Sequence, residues 1–121
     1  MSAGETAETS VRLIITSGYH VNANQVTEKF LIPTTFNVKP EAGITIDNIV
    51  YPKPLRKKFS FNEAPLNVYE GDAVIKLRLS APRDAAPGQH TLRASVRVQP
   101  CDDEKCYPPA TLETTLPVTI R

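Results

Sequence analysis

At 121 residues and 13.3 kDa, with 40% hydrophobic and 22% charged residues, the chain has the size and apolar content of one folded domain with its own core. Fourteen Lys and Arg against 13 Asp and Glu leave a net charge of +1, too little to gather a phosphate backbone, so nucleic acid is excluded as a partner. Apolar runs such as Leu13–Ile15 fall far short of the ~20 residues that cross a bilayer, and the polar, acidic Met1–Ser10 is expected to carry no secretory signal.

Eleven prolines against five glycines, with proline at about double its usual ~5%, favour strands joined by stiff loops. Residues 1–9 are small, polar and unpatterned and are expected to be a disordered tail, with the folded domain spanning 10–121. Val11, Leu13 and Ile15 alternate with Arg12 and Ile14, the period-2 signal of a strand, and Ser17-Gly18 turns the chain. Phe30–Val38 is rich in β-branched and aromatic residues, but Pro33 lacks an N–H, so this strand lies at an edge or breaks there. Ile44, Ile46, Ile49 and Val50 predict a further strand after Gly43. The basic, proline-containing Tyr51–Lys58 and the following Phe59–Pro65 read as loop.

Val68–Leu79 then alternates, with Ala73, Ile75, Leu77 and Leu79 on one face and Lys76 and Arg78 on the other. After the turn-rich Pro82–Gly88, the segment His90–Gln99 sets Leu92, Ala94, Val96 and Val98 against Arg93, Ser95 and Arg97. Leu112, Thr114, Leu116, Val118 and Ile120 alternate to the C-terminus, where Pro117 requires a free edge. About seven short strands without helical periodicity predict an all-β fold, an immunoglobulin-like antiparallel β-sandwich.

Both cysteines lie in Gln99-Pro100-Cys101-Asp102-Asp103-Glu104-Lys105-Cys106-Tyr107-Pro108-Pro109, expected as a hairpin tip between the last two strands. A tight loop can bring the Cα atoms of such a pair to the ~4.4–6.8 Å that a disulfide needs. As a staple, the bond closes a loop of about six residues, worth roughly 2 kcal/mol by chain entropy against roughly 4.7 kcal/mol for a loop of about 100 residues. As a redox centre, a pair at a solvent-facing tip is open to another protein's thiolate. The residues alone leave both uses open.

Zinc would need two further ligands, and the two histidines, His20 and His90, stand at no finger-like spacing. No C-x-x-C, Gly-rich phosphate loop, G-x-S-x-G elbow or H-E-x-x-H occurs, so neither metal nor cofactor is expected. Lys53, Arg56, Lys57 and Lys58 form a basic cluster that reads first as a solvated loop and second as a dock for an acidic partner. Asp102, Asp103 and Glu104 oppose a nearby thiolate by like-charge repulsion.

The C-D-D-x-x-C-x-P-P pattern of the cysteine segment, with Gly18-Tyr19-His20-Val21-Asn22-Ala23-Asn24 early and Val68-Tyr69-Glu70-Gly71 midway, resembles the N-terminal periplasmic domains of the thiol:disulfide interchange protein DsbD, also called disulfide bond corrector domains. The resemblance covers Val11 to Arg121. It implies a periplasmic immunoglobulin-like domain whose cysteine pair takes electrons from a thioredoxin-like domain and passes them to periplasmic thiol–disulfide proteins, cytochrome c maturation being one destination. It also implies a monomeric domain within a larger membrane-anchored protein. The alternative is a non-catalytic immunoglobulin-like interaction module with a structural hairpin disulfide, and a weaker third is a mere docking domain.

By the same match, Cys106 is the attacking thiol and Cys101 the resolving one. An aromatic cap loop corresponds to Phe59–Pro65, with Phe61 as lid and Phe59 as second choice, against the alternative that both are ordinary core residues. Tyr107 joins the candidate site lining. The chain departs from the best-known members in having one residue fewer between its cysteines. It also places His20 and Asn22 where they have tyrosines, so both are candidate lining residues, His20 one that could titrate near neutral pH or simply hold a structural hydrogen bond.

Overall fold

The computed structural model describes residues 1–121 and contains strands only. The strands in chain order are β1 (Thr6–Ile14), β2 (His20–Asn22), β3 (Thr35–Val38), β4 (Thr45–Val50), β5 (Leu55–Lys57), β6 (Leu66–Tyr69), β7 (Asp72–Ser80), β8 (Gly88–Val98), β9 (Pro100–Cys101) and β10 (Ala110–Ile120). They form three antiparallel sheets ordered β1-β7-β4, β10-β8-β3 and β5-β6-β2-β9. The first two are the layers of an immunoglobulin-like β-sandwich. Inward residues of β7 (Ala73, Ile75, Leu77, Leu79) meet those of β8 (Leu92, Ala94, Val96, Val98) and β10 (Leu116, Val118, Ile120) in a cluster of 18 buried residues.

The runs of β7 and β8 fold as their patterns predict, because a period of two buries one face of each strand and leaves Lys76, Arg78, Arg93 and Arg97 outside, whereas in β10 the pattern buries only Leu116, Val118 and Ile120 and leaves Leu112 and Thr114 exposed. Pro117 lies in β10, an edge strand paired only with β8, where no ladder bond is demanded of it on the open side.

Four expectations are corrected. The tail over residues 1–9 is largely ordered: β1 begins at Thr6, every residue of it pairs with β7, and the Met1 ammonium donates to the Thr119 carbonyl at 2.9 Å. Backbone pairing along an edge strand orders this segment, for which no apolar periodicity is needed. Val68–Leu79 is two strands, β6 and β7, divided at Glu70-Gly71, where Gly71 has φ +63° and the chain passes from one sheet to another. The strand expected over Phe30–Val38 starts only at Thr35, beyond Pro33, and the basic stretch contains β5, three exposed residues paired with β6.

The small sheet matters most for function. It packs over a second cluster of Leu31, Phe59, Leu66 and Val68 and carries β9, which brings Cys101 directly opposite His20 of β2. No helix is long and apolar enough to cross a membrane.

Candidate functional site

Cys101 ends β9, and Cys106 faces it across an isolated antiparallel bridge. The Asp102 N–H donates to the Lys105 carbonyl at 2.9 Å and the Tyr107 N–H to the Pro100 carbonyl at 2.8 Å. Those bonds flank the cysteines and make them the narrow, non-hydrogen-bonded pair of the ladder, where facing side chains approach most closely. Their Cα atoms are 3.9 Å apart, nearer than the sequence alone led us to expect, and the sulfurs are bonded at 2.07 Å.

Asp102 holds the turn between them. Its Oδ1 accepts the N–H groups of Glu104 and Lys105, each at 2.8 Å, and its Oδ2 accepts the Tyr107 hydroxyl at 2.5 Å. The Tyr107 hydroxyl, followed by the two backbone donors, lowers the Asp102 carboxyl to about 2. The same bond pushes the Tyr107 phenol up to about 12. The carboxylate read as hostile to a thiolate is therefore occupied by three donors. On the outer side of Tyr107, the Lys105 Nζ lies 5.2 Å from the ring centroid and the exposed Tyr19 ring 6.3 Å away.

The two sulfur-bearing residues differ in access. Cys101 is fully buried, whereas Cys106 is half-buried and lines a cleft with Phe30, Leu31, Phe61 and Gln99. Phe30 is 69% and Phe61 36% exposed, and with the exposed Glu104 and Lys105 they give the cleft a mixed apolar and charged rim. A broader concavity lies elsewhere, over β3, β8 and β10 around Arg93 and Thr114. It contains no cysteine, and we place the site by chemistry rather than by size.

The two cap candidates have separate places. Phe59 is buried in the small cluster and stacks on His20, centroids 4.1 Å apart at 16°, while Phe61 stacks on the outer side of Phe59 at 5.5 Å and 11°. The loop closes on itself through the Lys58 ammonium, which donates to the Phe59 carbonyl at 2.8 Å and to the Asn62 carbonyl. Ser60 ties it to the hairpin tip by donating to the Asp103 carbonyl at 3.1 Å. Of the basic cluster, Lys57 pairs with Glu70 at 2.8 Å and Lys58 is occupied by these carbonyls, while Lys53 and Arg56 are exposed. A solvated, internally paired surface accounts for the cluster.

His20 is 1% exposed, and neither ring nitrogen has a hydrogen-bond partner. Burial pushes its imidazole below the ordinary value, against the upward pull of Glu70, Asp103 and Asp102 and with the push of Lys57. Asn22, also buried, faces a different task. Its Nδ2 donates to the Ile32 carbonyl at 3.1 Å and to Gln99 Oε1 at 2.8 Å, and its backbone carbonyl accepts the Thr34 hydroxyl at 2.6 Å, while its Oδ1 has no partner. It anchors the segment before β3 to β2 and β9. No three His, Cys, Asp or Glu side chains converge as a metal site would require.

Tyr19 and Ser60 lie inside segments the sequence marks, Gly18–Asn24 and Phe59–Pro65, but neither they nor Phe30 stand out as single residues. Nothing in their spacing marks them, because they reach the site from separate loops. The Asx signature was present in the Asp102-to-Lys105 spacing.

A family model described as thiol:disulfide interchange protein DsbD, N-terminal, matches residues 1–117. A search of the curated proteins found no match. Among solved structures, the reduced N-terminal domain of DsbD from Neisseria meningitidis is similar, with TM-score 0.60 and 18% identity over 91% of this chain and 76% of that one. At that identity the likeness establishes the shared β-sandwich fold. With the family model spanning nearly the whole length and a cysteine pair at bonding distance on its hairpin, the chain belongs to the DsbD N-terminal domain family of thiol–disulfide redox domains.

Proposed function

We propose that the Cys101–Cys106 pair relays reducing equivalents in the bacterial periplasm, taking electrons from a thioredoxin-like domain and passing them to periplasmic thiol–disulfide proteins without a bound cofactor. The chain acts as a monomeric domain of a larger membrane-anchored protein, a protein-disulfide reductase. The carrying observation is the asymmetry of the pair: Cys106 lines an open cleft flanked by Phe30 and Phe61 while Cys101 is fully buried.

An incoming donor thiolate attacks Cys106 Sγ, the S–S bond breaks, and its electron pair leaves on Cys101 Sγ. The donor's second thiolate then attacks its own sulfur in the mixed disulfide and releases Cys106 as a thiolate, so two electrons have moved. Delivery is the reverse: Cys106 attacks an acceptor disulfide, and Cys101 resolves the mixed disulfide. Phe61 serves as lid over the cleft, Phe59 as its root, and Tyr107 with Asp102 holds the turn. His20 and Asn22 line the pair from β2, Asn22 as an anchor.

A Cys101→Ser variant is expected to trap a mixed disulfide with a thioredoxin-like donor through Cys106, and a Cys106→Ser variant to trap none. Trapping only through Cys101 would reverse the assignment. Titration of the pair against thiol buffers is expected to give a potential of roughly −200 to −270 mV, in the span of glutaredoxins and thioredoxin. A value well below about −300 mV would instead mark a structural bond and an interaction module.

A further inference from the structure

Burying an imidazole with both nitrogens unpaired is unfavourable, and an apolar ring of the same shape would fill the place with no desolvation penalty. His20 is in that position, stacked on Phe59 and 1% exposed. Its cross-strand partner is Cys101. Directly opposed residues of an antiparallel pair project to one face of the sheet with Cβ atoms about 4.5–5.5 Å apart. In the oxidised protein Cys101 carries no thiol proton to share with the imidazole.

We propose that His20 is the acid–base partner of Cys101, accepting its thiol proton when that sulfur closes the disulfide and returning a proton when the disulfide opens. The inference rests on the exchange reaction above and assigns a proton to its buried sulfur. In the resolving step, the Cys101 proton moves to the neutral imidazole as Cys101 Sγ attacks Cys106 Sγ in the mixed disulfide. The new S–S bond forms, and the electron pair leaves on the acceptor's sulfur. The imidazolium then gives its proton to water or to the departing thiolate. In the reducing direction the electron pair arrives on Cys101 Sγ, and the imidazole, protonated from solvent, supplies that sulfur's proton. Buried Cys101 needs such a partner, because solvent reaches it less readily than Cys106.

Burial lowers the basicity of His20 and so favours the neutral ring in the oxidised state. The groups around it are Glu70 beyond β6, Asp102 and Asp103 in the hairpin, and Lys57 of β5. The carboxylates favour the imidazolium, and Lys57 opposes it.

The test begins with the wild-type domain, whose only histidines are His20 and His90. Proton NMR titration of the His20 ring in the oxidised and dithiol forms is expected to show a midpoint that moves with redox state. Stopped-flow reduction by dithiothreitol at pH 7 is expected to slow by roughly fivefold or more in His20→Phe, because a poorer leaving group is expelled more slowly. In a Cys106→Ser background, His20→Phe should shift the thiolate absorbance titration of Cys101 upward. His20→Gln, which can hydrogen-bond but not titrate, should slow reduction and leave only the pH dependence of the attacking dithiothreitol thiolate. A His20 midpoint identical in both redox states, with unaltered reduction rates in the variants, would overturn the proposal and leave thiol–disulfide exchange standing. If His20→Phe does not fold, the wild-type NMR titration decides alone. A wild-type disulfide that resists reduction at potentials above about −300 mV would overturn the exchange reading and the proton role together.

Discussion

Between the two large sheets, the 18-residue cluster is aliphatic apart from Phe36 and Tyr69, and the Tyr69 hydroxyl is satisfied by Asn24 and Gln25. At the small sheet the composition changes. The three buried polar residues, His20, Asn22 and Thr34, all lie on β2 or bond to it, and the buried side-chain atoms without partners belong to His20 and Asn22. The sandwich is thus built for stability. The small sheet surrounding the cysteines retains unpaired polar groups that stability alone would remove, as sites of chemistry often do.

That contrast can be broken by substitution in the main core. Leu92 on β8 is 0% exposed, and Leu92→Ala is expected to destabilise the domain by about 2–5 kcal/mol in urea unfolding through lost burial and a residual cavity. Below the unfolding transition, reduction of the disulfide by a small thiol should keep its wild-type rate. A changed rate would show that the two regions are coupled.

A smaller effect sharpens the comparison from the other side. Phe61 is partly exposed and contributes a ring to the Phe61–Phe59–His20 stack. An aromatic pair is worth about 1 kcal/mol, so Phe61→Ala should raise the open population of the cap by about fivefold and accelerate small-thiol reduction to match. Unfolding stability should change by about 1 kcal/mol or less. An unchanged reduction rate would remove Phe61 from the cap.

The contrast also explains what could be read without coordinates. In β7, in β8 from Leu92 and in β10 from Leu116 the buried residues alternate strictly, so burial dictates sequence there and the pattern gives strand, face and sandwich. The cysteine hairpin was legible because nine adjacent positions, Cys101 to Pro109, carry the whole motif, and its family resemblance singled out Phe59, Phe61 and His20. The rest was hidden for physical reasons. β2 is three residues long, too short for a period to show, and β1 is ordered by ladder bonds that every side chain permits. The His20–Cys101 register depends on where β9 leaves β8 after Gln99, a tertiary fact that no local spacing encodes.

The smallest expected effect concerns the hairpin turn, where charge rather than packing holds the shape. The Asp102 carboxyl is lowered to about 2 by Tyr107 and two backbone N–H groups, so its contribution is complete above its unfolded value near 3.8 and is lost as pH falls toward about 2. Tyr107 is raised to about 12, so its contribution is complete below about 10 and is lost as pH rises toward about 12. The turn therefore keeps its form throughout the neutral range in which a thiol must exchange. Phenolate absorbance should show Tyr107 ionising well above an ordinary tyrosine, and Asp102→Asn should return that midpoint toward the usual value near 10, because an amide does not repel the phenolate charge. If the midpoint stays high in the variant, the Asp102–Tyr107 bond is not what fixes the turn, and Cys106 must owe its place to the backbone bonds that flank the disulfide.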